Sequence, residues 1–132
     1  YGAINSNNFP EETAYLFARN NDGSIDDTTL ISYGGKSSKV VSIPETVKTI
    51  KEGSVIRLSY ADTIIIPEGV ETIENNAFKK ETYYNTSLTT IVNQTGKSFN
   101  WGNSLYNTPG FEFVTGTIIS SYGNVEVVSS LN

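Results

Sequence analysis

Short runs in which apolar and polar residues alternate, each closed by Pro, Gly or an Asn-rich turn, dominate the chain and predict β-strands rather than long helices. Two of these runs are copies of one another. VVSIPETVKTIKEGSV at 40–55 and TIIIPEGVETIENNAF at 63–78 align at a constant offset of 23 residues. Val41 falls on Ile64, Ile43 on Ile66, Pro44 on Pro67, Glu45 on Glu68, Val47 on Val70, Thr49 on Thr72 and Ile50 on Ile73. A third, poorer copy begins at Leu88-Thr89-Thr90-Ile91-Val92, displaced by a few extra residues around Glu81-Thr82-Tyr83-Tyr84-Asn85, and it replaces the Ile-Pro pair by Asn93-Gln94.

Each copy has a β-branched run, a Pro that has no N–H to give to a ladder and so ends it, and a second stretch of the form Val-x-x-Ile. Such a unit cannot bury its apolar side alone. Ile43, Val47 and Ile50 are therefore expected to stack on Ile66, Val70 and Ile73 as successive coils of a solenoid. The same register sets Lys48 beside Glu71 and Lys51 beside Glu74. Ala77-Phe78 should form a turn or short helix on the convex side that plugs the core with Phe78, a place that Ser54-Val55 fills less well in the first copy.

Two and a half coils fall short of the roughly three that a free-standing stack needs, so both ends require caps. At the front, Tyr15–Arg19 and Thr28–Tyr33 flank the turn-rich Asn20-Asn21-Asp22-Gly23-Ser24 and read as a hairpin. Pro10-Glu11-Glu12 instead suits a helix start. At the back, Phe111–Val114, Thr117–Ile119 and Val125–Val128 alternate like strands, with Tyr122-Gly123-Asn124 as the turn between the last two, and should close the open edge of the array. The expected organisation is a single domain: an N-terminal cap with a hairpin at 1–34, repeat coils at 35–95 and a C-terminal β cap at 96–132.

The 132 residues are enough for one core. There is no cysteine, methionine or histidine in the sequence, which removes disulfides, thiolate or imidazole metal sites and any Ser/His or Cys/His pair. Nine basic against fourteen acidic residues, with no basic cluster, argues against nucleic acid and against membrane contact within this stretch. The longest aliphatic run, Ile64-Ile65-Ile66, is far short of a membrane span. Opening on Tyr1 is what a trimmed or mature product would show, so a leader or anchor could precede it. Abundant Asn, Ser and Thr resemble secreted β-rich proteins, and the lack of cysteine fits export from a Gram-positive cell.

The segment Ile-Pro-Glu-Gly-Val-Glu-Thr-Ile-Glu-Asn-Asn-Ala-Phe within 64–78 resembles the BspA-type leucine-rich repeat of bacterial surface proteins. Thr29–Gly35 leading into Val40-Val41-Ser42-Ile43-Pro44 looks like that family's lead-in segment, so the likeness covers about half of the chain. It implies a mainly β, leucine-rich-repeat-type solenoid of 23-residue coils with β-rich caps, displayed outside the cell for adhesion or protein binding, with no catalytic residue to carry over. The first copy departs by lacking Ala-Phe and the third by lacking Ile-Pro. Residues 88–102 also resemble the tail that follows such repeats in some clostridia-like surface proteins, some of which begin with a type IV prepilin leader. A pilin-like ectodomain, its hydrophobic N-terminal helix removed, is thus the alternative.

Candidate chemistry is sparse. Asn20-x-Asp22-Gly23-x-Ile25-Asp26 matches the middle of a calcium loop, but Ala18 and Thr29 stand where the terminal carboxylates belong, and a plain polar turn is the simpler reading for Asp22–Asp27. Glu45 and Glu68 could pair around a cation or act as acid and base, although solvated, mutually repelling ladder positions fit them better. Tyr83, Tyr84, Phe99, Trp101 and Tyr106 could form an aromatic binding platform for a sugar or a protein, against the alternative that they pack as the end cap. Asn85-Thr86-Ser87 and Asn93-Gln94-Thr95 satisfy the glycosylation sequon. The sequence thus points to a non-enzymatic extracellular module without cofactor or metal, on the surface of a Gram-positive bacterium. Its partners would be protein or glycan ligands of a host or neighbouring cell, with self-assembly in a fibre under the pilin-like reading.

Overall fold

In the computed structural model, which describes residues 15–34, 39–55, 61–80, 88–106 and 112–131, the alternating runs become strands and the fold is mainly β with mixed sheets. The elements are β1 (Tyr15–Arg19), β2 (Ile25–Tyr33), β3 (Val40–Ser42), β4 (Thr49–Ile50), β5 (Thr63–Ile66), β6 (Thr72–Ile73), β7 (Thr90–Asn93), β8 (Phe99–Asn100), α1 (Trp101–Tyr106), β9 (Glu112–Phe113), β10 (Gly116–Ser120) and β11 (Gly123–Val128). A four-stranded sheet runs β1-β2-β4-β6, a five-stranded sheet β10-β11-β7-β5-β3, and β8 pairs with β9 alone.

The two sequence copies pair with each other in parallel and in register. Val41 lies opposite Ile64 in the five-stranded sheet, and Ile50 opposite Ile73 in the four-stranded one. The poorer third copy joins through Ile64↔Ile91, an offset of 27 that absorbs the inserted residues. A third row of backbone contacts needs no regular strand. Tyr33 N donates to Ser54 O (2.9 Å), Val55 N to Ala77 O (2.9 Å) and Phe78 N to Ser104 O (3.0 Å). Successive copies are therefore tied along three separate rows.

Proline and one left-handed residue shape each copy. After β3 and β5 the chain turns as Val47 N donates to Pro44 O and Val70 N to Pro67 O, which carries Val47 and Val70 into full burial. At the next corner the backbone adopts positive φ at Gly53 (72°) and, one copy later, at Asn76 (62°). Glycine and asparagine are the residues that accept this conformation at least cost.

Ile43, Val47, Ile50, Ile66, Val70 and Phe78 all lie in one buried cluster, with Ile73 packed against it from the edge strand. Burying each such side chain stabilises by about 1.5–3 kcal/mol relative to exposure. Phe78 and Ala77 fill the corner as expected. In the first copy Ser54 and Val55 are buried there instead, and the Ser54 hydroxyl donates within hydrogen-bond distance of Leu30 O and Lys51 O. The expected Lys51–Glu74 pair forms (2.9 Å). The Lys48–Glu71 ion pair does not: Glu71 N donates to Lys48 O (2.8 Å), and the two residues meet through the backbone alone.

The front hairpin follows its expected strands, with β2 extended back to Ile25 and bulging on either side of Leu30, opposite Phe17 of β1. Tyr15 packs its ring 5.0 Å from that of Tyr33 and donates its hydroxyl to Ser42 O (2.7 Å), linking the hairpin to β3. Pro10-Glu11-Glu12 lies outside the described residues. At the back, β11 adds to the array in parallel with β7 and β10 folds back on it. The turn between them is Ser121-Tyr122, one residue earlier than expected, because Gly123 already pairs with Ser120. Of the expected strand over Phe111–Val114, Glu112–Phe113 pair with β8, and Phe111 lies outside the described residues. The helix α1 was not expected. Asn103 N reaches Asn100 Oδ1 (3.4 Å), so an asparagine caps its start.

Candidate functional site

Two of the five residues of the expected aromatic platform, Phe99 and Trp101, are buried. Trp101 is fully buried and Phe99 8% exposed, their rings 5.3 Å apart in an edge-to-face pair. Trp101 Nε1–H donates to Phe113 O (2.9 Å), so the indole holds β9 against the last turn and turns no face to a ligand. The physical reason is parity. At the offset of 27 that pairs β5 with β7, Phe99 and Trp101 stand where the preceding copy has exposed Thr72 and half-buried Glu74. Bulky aromatics at those places turn inward, and β8 pairs with β9 in place of continuing from β6. Tyr83 and Tyr84 lie outside the described residues, and of Tyr106 only its place as the last residue of α1 is described.

Asn93 replaces the buried Ile43 and Ile66 of the regular copies and is itself 1% exposed. Its amide is fully engaged: Nδ2 donates to Lys97 O (3.0 Å) and Val114 O (2.9 Å), while Oδ1 accepts from Thr95 N (3.2 Å) and the Thr95 hydroxyl (2.6 Å). A side chain with no donor to spare is a poor sugar acceptor, which removes the sequon at 93–95. The one at Asn85 lies outside the described residues. The sequence did hold a signal for this role, since Asn-x-Thr marks a side-chain turn as well as a sequon.

In the 20–27 loop the carboxylates point at their own turn. Asp22 Oδ1 accepts from Ser24 N (3.0 Å) and the Ser24 hydroxyl (2.6 Å), and Asp26 Oδ1 accepts from Thr28 N (3.1 Å) and the Thr28 hydroxyl (2.5 Å). Those hydroxyl bonds, followed by the backbone N–H bonds, hold both carboxyls below the usual aspartate range. Among the described residues no group of three acidic side chains converges on a common point.

A shallow depression of about 410 Å³ is lined by Glu52, Glu74 and Asn75. Glu74 accepts from Glu52 N (2.9 Å) and from Lys51 Nζ (2.9 Å), and these two contacts, the backbone one first, hold its carboxyl below the ordinary glutamate value. That is the wrong direction for a general acid, which needs a raised pKa near neutrality. Its evident work is to tie neighbouring copies together. Glu45 and Glu68 are exposed and stand in matching positions of successive copies. No protein-family profile, curated protein or solved structure matches this chain.

Proposed function

We propose that the paired copies form a short three-sided solenoid and that the chain serves as a non-catalytic binding module displayed outside a bacterial cell, where it engages a protein or glycan on another surface. One observation carries this reading: three separate backbone rows repeat between copies, so side chains such as Glu45 and Glu68 recur at fixed outward positions over a shared core. Outward positions in such a stack can change without disturbing the interior, which suits a surface that recognises partners. The resemblance of 64–78 to BspA-type repeats supports the same class and the extracellular setting.

The test is binding of the purified chain to arrays of host extracellular-matrix proteins and of glycans. Saturable binding that weakens when Glu45 and Glu68 are both changed to Lys, with the melting temperature unchanged, supports the proposal. Silence on both arrays together with turnover of an ester or glycoside substrate would overturn it in favour of a hydrolase.

A further inference from the structure

The two larger sheets expose four edges, and three of them are blunted. β1 keeps an irregular register with β2 and ends in Arg19, β3 is three residues long with Tyr15 bonded to Ser42 O, and β6 is two residues long between Glu71 and Glu74. These are the ordinary devices that stop a strand from recruiting another. β10 has none. Its five residues pair regularly with β11, no charged residue occurs from Thr115 to Gly123, and Ile119 is 78% exposed, the most exposed large apolar side chain among the described residues.

The direction of its free backbone groups follows from the register. Glu126 N donates to Thr89 O, so Glu126 turns its backbone toward β7, and its neighbours Val125 and Val127 turn theirs toward β10. Their partners Ile118 and Gly116 therefore make the β10–β11 bonds, which leaves the N–H and C=O of Thr117 and Ile119 aimed away from the sheet. Among the described residues no strand lies on that side.

We infer that β10 is a homotypic docking edge, which pairs antiparallel with β10 of a second copy about a two-fold axis through Ile118. In that register Thr117 exchanges both backbone bonds with the partner's Ile119, and Ile119 with the partner's Thr117. Across the axis the two Ile118 residues face each other as a closely spaced non-bonded pair. A second copy is the occupant that fits because β10 itself carries no charge, the nearest being the Glu126 carboxylate that accepts from the Thr117 hydroxyl (2.8 Å) one strand in. What it complements is another uncharged, β-branched strand, and isologous pairing supplies one without like-charge contact at the edge. An edge of five residues buries far less than the roughly 800 Å² per partner of a standard interface, so the dimer is weak and transient. The net charge of −5 on each chain opposes it, and added salt strengthens it.

Sedimentation of the full chain from about 10 µM to about 1 mM tests this. The expected result is a monomer–dimer equilibrium that tightens in high salt. Ile119→Lys and Thr117→Pro each weaken it at least tenfold with an unchanged circular dichroism spectrum, since a proline is tolerated where the N–H faces outward. Leu131→Lys, at another exposed apolar site away from β10, leaves it intact. If Thr117→Pro fails to fold, Ile119→Lys decides. The inference is overturned by a chain that stays monomeric throughout, by a dimer that both edge variants leave unchanged, or by a mass that climbs past the dimer. Capture of an uncharged β-branched peptide by an otherwise monomeric chain would also overturn it and assign the edge to a foreign strand.

Discussion

The turns built from 40–55 and 63–78 and the turn built from 90–105 solve the same problem with opposite chemistry. In the first two, Ile43, Val47, Ile66 and Val70 stack in the interior, and each copy finds its backbone partners on the next. The last turn has no further copy in the second row. It substitutes side-chain hydrogen bonds for the missing ladder: Asn93 reaches Val114 O and Lys97 O, and Trp101 reaches Phe113 O. A stack propagates through apolar contacts that any neighbour of the same shape can make, whereas its end is defined by polar contacts that only one neighbour can satisfy.

The sharpest way to break the contrast is Ile66→Asp. Ile66 is fully buried between the positions of Ile43 and Asn93, so a carboxylate there has neither water nor a partner. A loss of more than about 4 kcal/mol is expected, enough to unfold a domain of ordinary stability, and the measurement is urea denaturation followed by circular dichroism. Next comes Asn93→Ile, which makes the last turn resemble the regular ones. If the end obeyed the same rule as the middle, this change would stabilise. Added apolar burial is outweighed here by orphaning the Val114 and Lys97 carbonyls, and a net loss of about 2 kcal/mol is expected. An unchanged or raised melting midpoint would show that the end is apolar in its energetics after all. Trp101→Phe keeps most of the aromatic packing but deletes the bond to Phe113 O, and a loss of about 1–2 kcal/mol is expected in the same assay.

How much of this could be read from the residues divides along the same line. The parallel pairing of Val41 with Ile64 and of Ile50 with Ile73 was legible because two copies carry the same apolar pattern at one offset. The front hairpin was legible because Asn-Asp-Gly punctuates it. The end was not. Asn93 in place of Ile reads as a fading repeat, since a sequence reports that a residue is polar but not that four bonds await it in the interior. Trp101 and Phe99 left a platform and a packed cap both open, because the inward-outward parity of the earlier copies does not extend through an insertion. α1 gives only Asn100 as a signal, too little to outweigh a Gly two residues later. Gly53 and Asn76 share a left-handed corner that the alignment holds in plain view, yet neither residue alone demands it.

The smallest effects separate carboxylates that tie copies together from those that merely recur. Glu74 bridges Glu52 N and Lys51, while Glu68 is exposed and takes part in no ion pair among the described residues. Glu74→Gln should cost up to about 1 kcal/mol, the range of a partly exposed ion pair, and Glu68→Gln nothing measurable. The pH dependence sharpens this. Because folding lowers the Glu74 pKa from 4.5, its contribution is fully present above pH 4.5 and is lost as the pH falls through the lower folded value. Asp22 and Asp26, lowered from 3.8, act in the same sense further into acid. The melting temperature of the wild-type chain should therefore be insensitive to these groups above pH 4.5 and decline below it. In Glu74→Gln the first part of that decline should disappear, and in Glu68→Gln it should remain. Identical acid limbs for all three proteins would mean that the contacts at Glu74 add nothing to the register of the copies, which would then rest on their aliphatic stacking alone.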